Sequence, residues 1–511
     1  MNGELSISSQ ADLVVVGGGT AGAVVAARLA ATTDRSVILL EAGPDYGPLS
    51  EGNWPVNLVE ARALGYSDAW EYDSGETYPG RVVPFERAKV IGGCSSHNGC
   101  AAIWGSRLDY DGWAAQGNTG WAADDLLPFF RRVSDQLRVR NYSPDEVTPF
   151  HAACLGAAEA IGIPLVSDLN NLDEPVGMAP SPVNIIDGVR WNTAFAYLDP
   201  VRQRSNLTIM DHITVDRVIV DQGRVVEVVG VGRTGPFRIA AEQVVLAAGT
   251  YGSPAILLRS GIGDPDELRR LGVTPVHPLR GVGKGLHDHP SIVLDYAGSP
   301  ALERQMMDFA SQRWMPEEQS IAKLRSEHCT DGFDLHLYPV GGSDSAEPRK
   351  WQWKLPVACM TPRSRGSVRL RSPDPLVPPR IDHCYLSDAE QHDRDVLVSG
   401  VKIARQVARQ PGLRDLLGEE IAPGSACVTA AELQAYVTDN VVHYYHPVGT
   451  CAMGTASDRG AVVNPRGQVF GVDNLLVADC SIMPTIPRAN TNVPTAVIGE
   501  RIAEWLVGAT P

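Results

Sequence analysis

Residues 11–43 read ADLVVVGGGTAGAVVAARLAATTDRSVILLEAG and constrain the fold more than any other segment. Asp12–Val16 is a short apolar run rich in β-branched residues, as expected of a strand covered on both faces. A turn with glycines at 17, 19 and 22 follows at once. An alanine-rich helical stretch comes next, then a second strand, and Glu41 closes that strand about 20 residues after Gly22. This order predicts a dinucleotide-binding βαβ unit. Gly17 makes the tight turn, Gly19 lets the backbone approach a pyrophosphate, and Gly22 lets the helix pack close to the strand. Free amides at the helix start bind the phosphates, and Glu41 accepts hydrogen bonds from a ribose diol. The unit alone leaves NAD and FAD open.

A second unit of the same kind is EQVVLAAGTYGSPAILLRSGIG, a strand, a small-residue turn and a helix placed near the same cofactor. Residues 293–443 differ. They hold Trp314, Trp351 and Trp353, alternating segments such as FDLHLYPV and GSVRLRS, and a helical stretch at DRDVLVSGVKIARQVARQ, which together predict a strand-rich region backed by helices. PTAVIGERIAEWLVG reads as a closing helix.

Composition excludes several functions. The net charge of −16 over 511 residues opposes a sequence-independent grip on nucleic acid. No stretch approaches the ~20 uninterrupted apolar residues of a membrane helix. The start, MNGELSISSQ, has neither the basic run nor the apolar core of a signal peptide, so a cytoplasmic protein is expected. None of the nine cysteines forms a Cys-x-x-Cys pair, which argues against a zinc site or dithiol motif.

Several further motifs run in a recognisable order: RAKVIGGCSSHNGC at 87–100, GSPAILLRSGIG at 252–263, GVGKGLHDHP at 281–290, HPVGTCAMG at 446–454 and VADCSIMPTIPRANTNVPTAVIGE at 477–500. With the turn at 17–22, they resemble the glucose–methanol–choline (GMC) family of FAD-dependent alcohol oxidoreductases along nearly the whole chain, with local wording closest to its choline-oxidising members. The resemblance implies a Rossmann-like α/β FAD-binding domain, formed by residues 1–157, 193–292 and 444–511. An α+β substrate domain on an antiparallel sheet would be formed by 158–192 and 293–443.

The resemblance also implies the chemistry. A primary alcohol is oxidised to an aldehyde, or onward to the acid. His446 takes the hydroxyl proton, and hydride passes to flavin N5. Histidine suits the base because its unperturbed pKa lies near neutrality. Asn490 donates to the substrate oxygen as charge develops there. The implied FAD contacts are Gly17, Gly19, Gly22, Glu41, Arg87, Gly92, Ser96, His97, Asn98, Val215, Asp479, Asn492 and Val493. His97 matches a histidine bonded covalently to the flavin in choline-oxidising members, so a histidyl–FAD is expected. No metal is expected, because the His287-Asp288-His289 cluster matches a structural turn of the family. His443 is read as support for His446. O2 is the expected acceptor, giving H2O2. A dehydrogenase using another acceptor and a hydroxynitrile-lyase-like enzyme are the alternatives. A homodimer is compatible with all of this.

Four positions depart from the choline-oxidising pattern. The glutamate that holds trimethylammonium there aligns with Gln319 or Ser320, with Glu317 and Glu318 nearby, so no carboxylate stands at the expected place. A second active-site histidine aligns with Tyr338, with His336 two residues earlier on the same strand face. Tyr444 replaces a small aliphatic residue linked to oxygen approach, and Gly99 replaces a serine. These changes point to an alcohol other than choline and leave the electron acceptor open.

Overall fold

The computed structural model describes residues 10–65, 69–70, 72–73, 82–173, 176–343 and 351–508. Strand Gln10–Val16 buries Leu13 to Val16 almost completely, which explains its unbroken apolar run. It lies in a mixed sheet ordered Leu207–Met210, Val37–Leu40, Gln10–Val16, Gly235–Leu246, Arg224–Gly232, Thr214–Asp221, with Leu475–Val477 added beside Gly235–Leu246. Leu207–Met210, Val37–Leu40, Gln10–Val16, the second half of Gly235–Leu246 and Leu475–Val477 pair in parallel. The strands from Thr214 to Leu246 form an antiparallel meander. Parallel pairing sends the carboxyl ends of the first set to one edge. The glycine turn, Glu41, Ala247 and Asp479 all emerge there, which is where ligands bind in such sheets. Helices Thr20–Thr32 and Asn492–Gly508 pack on each other and share their core with this sheet.

A second sheet is wholly antiparallel, in the order Val442–His443, Pro290–Ile292, Val357–Cys359, Leu335–Leu337, Ser320–Leu324, Gly177–Pro180. Leu335 and Leu337 turn toward helix His392–Ala408, sharing a core with Val396, Leu397 and Val401. Alternation sends His336 the other way, and Tyr338, just past the strand, joins Ala358 and Tyr444 in a separate cluster. The α/β layer and the helix-backed antiparallel sheet are the two architectures the sequence predicts. Among the described residues, no helix is long and apolar enough to cross a membrane. All nine cysteines are free thiols.

Candidate active site

A cavity of about 410 Å³ runs from the glycine turn to the antiparallel sheet. At the turn, Gly17 has φ +98°, and a Cβ there would sit 2.5 Å from the Ala247 carbonyl oxygen. A Cβ on Gly22 would lie 1.9 Å from the Gly17 oxygen, so the helix can approach only with glycine there. Glu41 accepts the N–H groups of Gly18 and Gly43, each at 2.8 Å. Burial nevertheless pushes its carboxyl up to about 7. The residue expected to hold a ribose diol therefore also braces the turn. Asp479 likewise caps the short helix at Cys480–Ile482 and accepts from Gly249 N–H and the Ser253 hydroxyl.

Most of the expected FAD contacts line this cavity: Gly17 and Gly19, Glu41, Arg87, His97 and Asn98, with Val215, Asp479 and Asn492. Gly22, Gly92, Ser96 and Val493 do not. Gly22 is committed to helix packing. Gly92 turns the chain at φ +81°, and the Ser96 hydroxyl donates to the Ile91 carbonyl instead. Val493 is fully buried in the core beneath the first sheet. Arg87 has a further task, donating from Nη1 to the Tyr445 carbonyl at 3.1 Å. That bond braces Tyr445, which takes a left-handed φ of 65° immediately before His446. Beside His97, burial would raise the Cys94 thiol. The Arg87 guanidinium and a hydrogen bond with His97 outweigh it and bring the thiol down to about 6.

Asn490 and His446 meet in this cavity, amide Nδ2 to ring Nε2 at 3.3 Å. Burial, reinforced by His289 and His336, holds the His446 pKa well below 6.5. An unprotonated imidazole beside an amide donor can take a proton from an alcohol and steady its oxygen. The backbone N–H of His446 donates to Asp288 Oδ1 at 2.8 Å, and Tyr385 donates to Asp288 Oδ2 at 2.9 Å. His287 is locked between the Gly285 carbonyl and the Ile486 N–H. The His-Asp-His segment thus fastens the His446 loop, and it is not the turn expected: His287 bridges to Val448, and Asp288 and His289 lead directly into strand Pro290–Ile292. It also does something that expectation missed: His289 Nδ1 lies 3.0 Å from His446 Nδ1. His443 lines the cavity from strand Val442–His443.

At the far wall, the sequence expectation needs correcting. Gln319 is tied to Thr148 N–H and the Glu146 carbonyl, and the Ser320 hydroxyl to His151. The carboxylate facing the cavity belongs to Glu318. It has no hydrogen-bond or ion-pair partner among the described residues, and burial, then Glu317, pushes it up to about 7. A Cβ on Gly99 would lie 3.1 Å from Glu318 Oε2, so the bare glycine makes room for the carboxylate. Tyr338 and Tyr444 stack at 4.1 Å beside it, and the Tyr444 ring is 4.4 Å from that of His446. His336 sits behind Tyr444, fully buried, with both ring nitrogens unpartnered among the described residues. Outside the cavity lining, donor atoms of Cys359, His392 and Asp393 lie within 4.8 Å of one another. Both Asp393 oxygens there already accept backbone N–H groups, from Arg363 and Ser364.

Residues 11–291 match the N-terminal part of the GMC oxidoreductase family and residues 362–499 its C-terminal part. The chain is a GMC oxidoreductase. It is 34% identical to the oxygen-dependent choline dehydrogenase of Cronobacter sakazakii, over 98% of this chain and 95% of that protein. It is 33% identical to the choline oxidase of Arthrobacter globiformis, over 98% of this chain and 94% of that protein. Among solved structures it resembles pyridoxine 4-oxidase from Mesorbium loti, with a TM-score of 0.87 and 29% identity, over 98% of this chain and all of the other. A GMC oxidoreductase is a flavin-dependent alcohol oxidoreductase, and the residues here fit FAD. Gly19 leaves its side of the turn open, with nothing nearer its absent Cβ than Gly93 Cα at 3.7 Å. The buried Asn492 amide nitrogen lacks a partner among the described residues. Helix Asn492–Gly508 opens its positive end into the same cavity.

Proposed function

We propose that this GMC oxidoreductase oxidises a primary alcohol bearing a cationic nitrogen, with His446 as the base. One observation carries the reading: His446 Nε2 and Asn490 Nδ2 converge, 3.3 Å apart, on the cavity into which the dinucleotide turn also opens. Bound FAD supplies the two-electron acceptor for the carbinol hydride. His446 takes the hydroxyl proton at Nε2. The Asn490 amide donates to the oxygen as negative charge grows there; one such donor is typically worth about 3 kcal/mol of barrier. Glu318 holds the cationic end, supported by the aromatic faces of Tyr338 and Tyr444. The choline and pyridoxine relatives named above share this substrate chemistry, an alcohol with a nitrogen that carries or can carry positive charge. Their names also favour O2 as acceptor and H2O2 as product. Gly99 and Tyr444 shape the pocket differently from the choline-oxidising pattern, which supports a cationic alcohol other than choline.

His97 is the attachment point we propose for a covalent flavin. It brings a half-buried imidazole to the cavity wall, next to the acidified Cys94 thiol. Gly17, Gly19, Glu41, Asp479 and Asn492 hold the remainder of the cofactor.

Anaerobic mixing with a panel of neutral and cationic primary alcohols tests the reading. The flavin should bleach fastest with a cationic alcohol, and admitting air should yield peroxide. His446→Ala should slow bleaching by about a hundredfold or more. No bleaching with any alcohol, or wild-type bleaching in the variant, rejects it.

A further inference from the structure

The contact between His289 and His446 has no place in the chemistry described so far. Both rings are buried, and they meet Nδ1 to Nδ1 at 3.0 Å with their planes 86° apart. A neutral imidazole has one N–H and one lone pair. One ring must therefore donate and the other accept, and the choice decides which nitrogen of His446 is free at the cavity.

One neighbour settles it. His446 Nε2 faces the Asn490 amide nitrogen, which only donates. A proton on Nε2 would set donor against donor. The hydrogen therefore sits on His446 Nδ1, and His289 Nδ1 presents its lone pair to it. The proton of the His289 ring is then on Nε2, which is buried with no hydrogen-bond partner among the described residues.

We propose that His289 is the positioning residue that sets the His446 tautomer, accepting its Nδ1–H so that Nε2 is left as the base. This rests on the reading of His446 as the base. When Nε2 gains the substrate proton, the Nδ1–H···Nδ1 bond persists and holds the imidazolium in place. The partner is neutral. The nearby carboxylate, Asp288, accepts the backbone N–H of His446. The arrangement orients the base without a charge that would keep it protonated at rest, in keeping with its depressed pKa.

The test uses holoenzyme labelled with 15N-histidine, the His446 signals being assigned by their loss in His446→Ala. Wild type should show His446 protonated at Nδ1 and bare at Nε2. His289→Leu, which keeps bulk but removes the acceptor, should shift His446 toward the other tautomer. It should slow flavin reduction by about a hundredfold, with FAD content and affinity for a non-oxidisable ether analogue unchanged. His289→Asn, which offers an amide oxygen in the same place, should recover most of that rate, and it keeps the test valid if the leucine variant fails to fold. An Nε2–H tautomer in wild type overturns the inference. So does wild-type reduction in His289→Leu while His446→Ala is slow. Wild-type reduction in His446→Ala overturns the base assignment itself.

Discussion

Asp288 accepts the backbone N–H of His446 at 2.8 Å, although the two residues lie 158 positions apart in the chain. The same carboxylate accepts from Tyr385 and from the His289 N–H, so it fixes His446 and His289 together. Burial pushes it up to about 6 even so. Asp288→Asn should place an amide N–H₂ among groups that need acceptors. An unsatisfied buried donor costs about 1–3 kcal/mol. We expect flavin reduction to fall about ten- to a hundredfold in stopped-flow measurements, with FAD retained.

Asn490→Ala removes the amide donor and leaves His446 in place. The rate of flavin reduction should drop by roughly two orders of magnitude, as for the loss of one preorganised donor. KM should change much less, because the missing bond strengthens only as the oxygen gains charge. A raised KM with an unchanged reduction rate would assign Asn490 to binding instead.

The proposed role of Glu318 predicts a link between substrate charge and pH. The Glu318 carboxyl is raised to about 7, so it is ionised above that pH and neutral below it. Only the ionised form attracts a cation. The KM for a cationic alcohol should therefore rise as pH falls through 7, while that for a neutral alcohol stays flat. His446, held well below 6.5, remains a free base over this range, so it adds no loss of rate until the pH is more acid. Glu318→Gln should abolish the pH dependence of KM and erase the preference for cationic alcohols. Profiles that are the same for both substrate types would remove Glu318 from recognition.

His97→Ala should yield folded protein whose FAD is released by acid precipitation, whereas in wild type the yellow colour stays with the pellet. Free FAD in the wild-type supernatant would reject the covalent bond and leave His97 as a cavity-wall residue.

The βαβ unit was legible because backbone geometry leaves no choice at Gly17 and Gly22, where a Cβ would collide with carbonyl oxygens. The strand at Leu335–Leu337 and the helix at His392–Ala408 were legible from periodicity. His446 and Asn490 were identified through motifs, since nothing in local spacing brings together residues 44 positions apart. Glu318 escaped because its neighbours Gln319 and Ser320 look equally suitable, and a register shift of one residue decides which side chain faces the cavity. His289 escaped because the sequence reading assigned its segment to a structural turn, which asks for no further partner. Its contact with His446 arises only when Pro290–Ile292 and Val442–His443 pair as antiparallel strands. Ser96 and Gly92 carry family motif positions, but their work is to shape the loop that presents His97.

Tyr445 holds a left-handed backbone that a bulky residue abandons when free to do so, at a cost of order 1–3 kcal/mol. Arg87, from 358 positions earlier, grips its carbonyl and keeps it there. The reactive orientation of the next residue is therefore not a property the HPVGT segment owns. Grafted onto another scaffold, that peptide would relax and aim its imidazole elsewhere; the aim is inherited from distant parts of the chain.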